Sequence, residues 1–262
     1  MSNRIAAKPM NDSAAALNAS AAPPVAEFQP LYAQVKNLLV NRIGSGGWKP
    51  GELLPSESEL AAEYNVSQGT VRKAMMALEA DRLVVRRQGR GTYVARHSND
   101  AALFRFFRLV GLDGRPLTPT SKLLRYRVRR ATRDQAAQLG VDVGASLHAI
   151  TRVRAFDSVP TILERIFVPV TLMPGLEEAL RERMTEEMYV IYQERFGISI
   201  ARATERLAAV LATAEEASQL LVNPGTPLLE VARTAHDIGG RKVELRISRC
   251  NTAQSRYANE VH

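Results

Sequence analysis

The stretch from residue 55 to residue 94 constrains the fold more than any other part of the chain. It reads PSESELAAEYNVSQGTVRKAMMALEADRLVVRRQGRGTYV. Ser56 stands where a helix N-cap is needed, and Glu57 and Glu59 fall in the first turn, at the positive end of the helix dipole. Leu60, Ala61 and Tyr64 supply a buried face. Asn65-Val66-Ser67 then reads as a turn: Asn tolerates a left-handed backbone, Val66 fills the gap between helices, and Ser67 caps the next one. In that second helix Val71, Ala74, Met75 and Leu78 face inward by spacing. Gln68, Gly69, Thr70, Arg72 and Lys73 are left near its exposed N-terminal end. Residues 83–86 and 92–94 read as strands around the tip Arg87-Gln88-Gly89-Arg90-Gly91, whose glycines let the backbone turn and approach a phosphate. Helix, turn, helix and basic hairpin is the order of a winged helix-turn-helix, which sets one helix in a DNA groove and braces on the backbone beside it.

Upstream, Pro30 can open a helix, and Leu31, Val35, Leu38, Leu39 and Ile43 follow at helical spacing to an end near Gly44 or Gly46. Trp48-Lys49-Pro50-Gly51 is a turn. Residues 1–29, rich in Ala, Ser, Asn and Pro, read as a disordered leader.

A length of 262 residues accommodates one large domain or two ordinary ones. The net charge of +8 suits a partner with phosphates, but it is spread evenly, at ten Lys/Arg against six Asp/Glu over residues 30–97 and twenty-three against nineteen over 98–262. The informative charge is local: Arg82, Arg86, Arg87, Arg90 and Arg96, with no acid from 82 to 96. A single cysteine, Cys250, excludes an internal disulfide and a cysteine-based zinc cluster. His97, His148, His236 and His262 are scattered without metal-like spacing, so no cofactor is expected. No run approaches the roughly 20 apolar residues of a membrane span, and the N-terminus lacks a signal-peptide pattern. A cytoplasmic protein with no membrane partner is expected.

The segment L-P-S-E-x-E-L-A, then V-S-x-G-T-V-R-K-A, then L-V-V-R-R-Q-G-R-G-T-Y-V resembles the GntR family of bacterial transcription regulators. The resemblance implies DNA contacts at Ser67, Gln68, Thr70 and Arg72 in the recognition helix and at Gln88 and Gly89 in the wing tip. Gly69 and Lys73 lie beside them, and Arg87 and Arg90 supply charge for the DNA backbone. Many members carry arginines that touch DNA where this chain has Ser58 and Gln68. Arg is the usual reader of guanine and Gln pairs naturally with adenine, so similar docking on an altered operator is expected.

Beyond a linker at residues 97–116, where Phe104, Phe106, Phe107 and Leu109 are expected to pack a strand onto the next domain, the chain repeats itself. Ala131-Thr132, Ala136, Leu139, Val141, Gly144, Leu147, Ile150 and Arg152 recur at constant offset as Ala212-Thr213, Ala217, Leu220, Val222, Gly225, Leu228, Val231 and Arg233. Each unit reads as a strand, a short helix capped by Thr132 or Thr213, a long strand after the glycine, and a hairpin through Asp157-Ser158-Val159-Pro160 or Asp237-Ile238-Gly239-Gly240. In the first strand Leu124, Tyr126 and Val128 alternate with Arg125, Arg127 and Arg129. Residues 174–183 and 185–196 read as helices between the units. The expected result over residues 117–258 is an antiparallel sheet with helices on one side. This part resembles the UTRA effector-binding domain of the HutC subfamily, which implies a chorismate lyase-like fold. The whole is an α+β chain, with the winged helix-turn-helix at residues 30–96.

Arg152 and Arg154 lie two apart on one strand, so both side chains leave one face and repel unless something anionic lies between them. Glu164 on the next strand is a candidate partner or ligand contact. A two-residue turn at Ser158-Val159 would pair Arg154 with Leu163, and one more loop residue would set Glu164 across from Arg154. The HutC resemblance implies effector contacts at Arg152, Arg154 and Glu164, and at hydroxyls near Ser121; a surface charge ladder is the competing reading. The expected protein is a homodimeric repressor, released from a palindromic double-stranded DNA operator by a small anionic metabolite. The alternatives are an enzyme of lyase-like fold with a DNA-binding head, for which no catalytic constellation is present, and an architectural DNA-binding protein without an effector.

Overall fold

A computed structural model describes residues 29–96, 108–183 and 187–259. The leader expected over residues 1–29 lies outside these apart from Gln29, as do Phe104, Phe106 and Phe107.

The N-terminal unit comprises α1 (Leu31–Gly44), α2 (Glu57–Glu63), α3 (Gln68–Ala80) and a hairpin of β1 (Val84–Arg87) and β2 (Gly91–Val94). Ser56 caps α2 in a reciprocal box with Glu59, and Ser67 accepts from the Thr70 N–H to cap α3. Asn65 takes the left-handed backbone its side chain tolerates, at φ 51°. The core joins Val35, Leu39 and Ile43 of α1 to Leu60, Val71, Ala74, Met75, Leu78 and Val84. Leu31 and Leu38, expected on that buried stripe, are half exposed. Trp48 does more than turn the chain: it is buried under the Arg42 guanidinium, 4.0 Å from its ring centroid.

The second unit begins with β3 (Leu109–Gly111), which pairs with the last strand, β10 (Ser255–Tyr257). Its first repeat is β4 (Thr120–Arg130), α4 (Arg133–Leu139), β5 (Ser146–Phe156) and β6 (Val159–Pro169). After α5 (Leu176–Glu182) and α6 (Met188–Phe196) the second repeat follows as β7 (Ile200–Leu211), α7 (Ala214–Leu220), β8 (Pro227–Asp237) and β9 (Lys242–Cys250). The strands form one antiparallel sheet in the order β4-β5-β6-β9-β8-β7. The order is symmetric under exchange of the repeats, so the duplication is a pseudo-twofold axis through the sheet, between β6 and β9. Thr132 and Thr213 both close capping boxes, with Gln135 and Glu216.

The helices cover both faces of the sheet, which corrects the one-sided arrangement expected. The α5–α6 pair packs on Ile150, Ile166 and Val168. The other face carries α4 on Leu147, Ala149 and Phe167, and α7 on Leu163 and Leu228. Residues of one strand alternate between these two clusters, because both faces of the central strands are buried. A register shift between Leu123 and Arg125 also breaks the expected alternation in β4. Tyr126 packs with the α5–α6 core, Leu124 with the α7 side, and Val128 is exposed.

Candidate effector cavity and DNA-binding face

Neither hairpin register considered for Glu164 occurs. Asp157 and Ser158 both adopt positive φ, and Phe156 pairs with Val159, so the two-residue turn sits one position earlier. A register shift after Arg154 then sets Arg154 opposite Ile162 and Arg152 opposite Glu164. Glu164 thereby shares a face with both arginines.

That face holds a buried network of charge. Arg152 Nε donates to Glu164 at 2.5 Å, and Arg246 Nη1 reaches the other Glu164 oxygen at 3.2 Å. Arg246 in turn makes a two-pronged contact with Glu244 at 2.9 Å, and Glu244 also accepts from the Tyr189 and Tyr192 hydroxyls at 3.1 and 2.7 Å. Arg154 pairs with Glu187, and Arg233 with Glu205 at 2.5 Å; Glu205 also accepts from the Tyr257 hydroxyl. Burial alone would push the Glu164 carboxyl up, but the guanidiniums of Arg152, Arg246 and Arg154 outweigh it and hold that carboxyl well below the usual carboxylate range. Burial, then repulsion from Arg152, lower the Arg154 guanidinium to about 10 despite Glu187. Burial pushes the Cys250 thiol up to about 12, with Glu164 adding to it, so this cysteine is not poised as a nucleophile.

A cavity opens over this network, with about 530 Å³ of space counting its mouth open to solvent. Its lining includes four guanidiniums (Arg108, Arg154, Arg233 and Arg246) and two carboxylates (Glu164 and Glu187), beside Tyr189 and Tyr257. Arg154 and Glu164 are therefore together at this cavity. Ser121 and Arg152 line a smaller adjoining one with Arg183 and Met188. Arg152 Nη2 is buried and has no hydrogen-bond partner among the described residues. Arg233, Arg246, Glu187, Tyr189 and Tyr257 escaped the sequence reading. The alternation Lys242, Glu244, Arg246, Ser248 on β9 was the available signal, since polar residues two apart on a strand share a face.

At the other end of the chain, Gln68 and Gly69 are exposed at the start of α3, and Gln88, Gly89 and Arg90 at the wing tip. Ser67 and Thr70 share a hydroxyl contact of 2.8 Å within the cap, and Ser58 Oγ lies 3.0 Å from Ser56 Oγ. Lys73 lies over the Tyr32 ring at 4.4 Å, and Arg87 over Tyr93 at 4.7 Å. The acid-free run of wing arginines divides in two. Arg87 and Arg90 stand at the tip, whereas Arg86 is held by Glu57 and Glu79, both at 3.2 Å, and Arg96 donates to the Pro50 carbonyl. Glu57 also binds Arg72 at 2.9 Å. One carboxylate thus ties the recognition helix to the wing, a role the sequence reading gave only to the helix dipole.

Residues 31–94 match the family of bacterial regulatory proteins of the gntR type, and residues 101–256 match the UTRA domain. The chain is 33% identical over 216 residues to the HTH-type transcriptional repressor NagR of Bacillus subtilis, covering 82% of this chain and 88% of that protein. It is 29% identical over 205 residues to the histidine utilization repressor of Pseudomonas putida, covering 78% and 81%. Among solved structures, PhnF from Mycobacterium smegmatis superposes with a TM-score of 0.52 at 28% identity, over 86% of this chain and 98% of that one. The ligand-binding domain of a protein described as a GntR-family regulator from Bordetella bronchiseptica gives 0.57 at 32%, over 60% and 98%.

Proposed function

The chain belongs to the GntR family of bacterial transcription regulators, in the HutC subfamily that joins a winged helix-turn-helix to a UTRA domain, and from that premise we propose that it is a homodimeric repressor released from a palindromic operator by a small anionic metabolite. It is a DNA-binding, effector-responsive regulator and not an enzyme. In this reading residues 30–96 form the reading head, 97–116 the linker and 117–258 the sensor, and the protein works in the cytoplasm beside its operator.

The single observation that carries the effector's chemistry is the lining of the charged cavity over β5, β6, β8 and β9. In and directly behind that lining Arg108, Arg152, Arg154, Arg233 and Arg246 stand against Glu164, Glu187, Glu205 and Glu244, and a bound anion would balance the remaining positive charge in a site of low dielectric. Arg154 and Glu164 are the expected contacts, with Arg152 and Ser121 extending the site into the adjoining cavity. On DNA, Gln68, Gly69, Thr70, Arg72 and Lys73 would meet the major groove. Ser58 and Ser67 would approach the backbone, and Arg87, Gln88, Gly89 and Arg90 would brace beside it.

The cavity has a short route to the head. Arg233 on β8 pairs with Glu205 on β7, and Ala201 of β7 and Ile238 of the β8–β9 hairpin pack against the α1 core. An anion that competes with Glu205 for Arg233 would shift the β7–β8 pair and, through Ile238, the population of head orientations. A thermal-shift screen with phosphorylated and carboxylated metabolites tests the sensor. At least one should raise the melting temperature of the full chain and release it from its operator. Stabilisation only by neutral or cationic compounds would overturn the anionic assignment.

A further inference from the structure

The charged cavity carries a second chemistry, set by the register of its floor. One row across the sheet presents Arg154, Ile162 and Cys250 on β5, β6 and β9. The next on the same face presents Arg152, Glu164, Ser248 and Val231 from β5 to β8, and the one after sets Arg246 beside Arg233. Ile162, Cys250 and Val231 therefore form an apolar patch between the guanidinium of Arg154 and those of Arg233 and Arg246, and all three reach the cavity lining. Leu109 is buried in the same cluster, and Tyr257 packs against it. Neutral hydrogen-bonding side chains are scarce here. Among the described residues the lining has no Asn, Gln or Thr, and its one aliphatic hydroxyl, Ser248, lies 3.4 Å from Glu164. A polyol on this patch would set hydroxyls without partners against Ile162 and Val231, whereas an apolar body would lose no hydrogen bond there.

The charges set how negative a ligand can be. Within the network, Arg152, Arg154, Arg233 and Arg246 are matched by Glu164, Glu187, Glu205 and Glu244. Tyr189 and Cys250 add no charge, since burial pushes both up to about 12. Arg108, exposed at the cavity mouth, is the cation left over and has no ion-pair partner among the described residues. A singly charged anion balances it, and a phosphomonoester, at about −1.5 to −2, would leave the site negative. We propose that the effector is a monocarboxylate with an apolar body: the body lies on Ile162, Cys250 and Val231, flanked by Arg154, and the carboxylate draws on the charge left over at Arg108. The inference rests on the anionic sensor of the proposed function and narrows its ligand to one class.

The test is calorimetry on the full chain with probes that vary charge and body separately: hexanoate and phenylacetate, phenyl phosphate, gluconate, and glycerol phosphate. The apolar acids should bind most tightly. One unbalanced charge ~10 Å away, at an effective dielectric of ~20, is worth about tenfold, so phenyl phosphate should bind about tenfold more weakly than phenylacetate. Val231→Thr keeps the side-chain shape and adds a hydroxyl, and should weaken the bound acid about fivefold or more. Arg108→Gln, at an exposed position, should weaken it as well; circular dichroism verifies that both variants fold. An unchanged affinity in folded Val231→Thr removes the body from the patch. Tightest binding by phenyl phosphate overturns the single charge, by gluconate the apolar body, and by glycerol phosphate both. In each of those cases the anionic sensor stands. If no probe binds, the inference and the anionic reading fall together.

Discussion

Without the Glu164 carboxylate, Arg152 and Arg246 would confront each other across the buried sheet with one partner fewer. Glu164→Gln should therefore destabilise the chain by ~3–5 kcal/mol, read from the denaturant midpoint. The pH dependence has a definite sign. The folded state holds this carboxyl below its ordinary value of 4.5, so its stabilisation is complete above that pH and is lost as pH falls below it. Wild-type midpoints should drop below pH 4.5 more steeply than those of the Gln variant. The repeat supplies a second residue-scale expectation. Gly140 ends α4 in the left-handed region, and α7 ends the same way at Leu221, a branched residue at φ 54° that is 77% exposed. Leu221→Gly should relieve strain of about 1 kcal/mol and raise the melting temperature; no gain would mean that the exposed leucine has a covering of its own. At this scale the sequence made Arg152, Arg154 and Glu164 visible but not Arg246. The repeat holds its offset as far as Arg152 and Arg233, which lie opposite Glu164 and Arg246, but the second hairpin turns over a longer loop. Matching the units by offset therefore puts Leu245, and not Arg246, in the place of Glu164.

Among the elements, in the proposed reading the work of binding DNA is divided between α3 and the β1–β2 hairpin. Arg90 stands at the tip, where backbone contact carries no base information. Arg90→Ala should weaken binding to all sequences alike and flatten the slope of log affinity against log salt by ~0.9, measured by fluorescence anisotropy at several salt concentrations. A change in base preference instead would make the wing a reader. The helices and hairpin of the head were legible because local rules fixed them: caps at Ser56 and Ser67, Asn65 in the turn, glycines at the tip. The long strands were legible as strands but not in register. A register depends on where a bulge falls, and nothing in residues 154–162 marks one residue over another as the extra one. The placement of α4 and α7 opposite α5–α6 was equally hidden, because the short apolar runs of β5 and β6 are compatible with burial on either face.

At the scale of the whole molecule, the unit that holds the charged cavity touches the N-terminal unit through the start of β7 and the β8–β9 hairpin. Ile238 is the apolar contact on that route. Ile238→Asp should leave effector binding to the full chain unchanged in calorimetry while altering how far the effector lowers operator affinity. Equal loss of both would place Ile238 in the fold and not in the coupling. The order of the domains could be read from the sequence, since each has its own motif or repeat. Their contact could not, because Val40, Ala201 and Ile238 belong to no pattern that spans them. The central claim, that an anion held at Arg154 governs release of DNA, is tested most directly by anisotropy titration of a labelled operator with phosphorylated and carboxylated metabolites, for wild type and Arg154→Lys. The lysine keeps a charge for Glu187 and loses the planar fork. At least one metabolite should weaken wild-type binding tenfold or more, and the variant should bind the free operator normally but no longer respond. A variant that responds as wild type does, or a wild type that no anion releases, would contradict it.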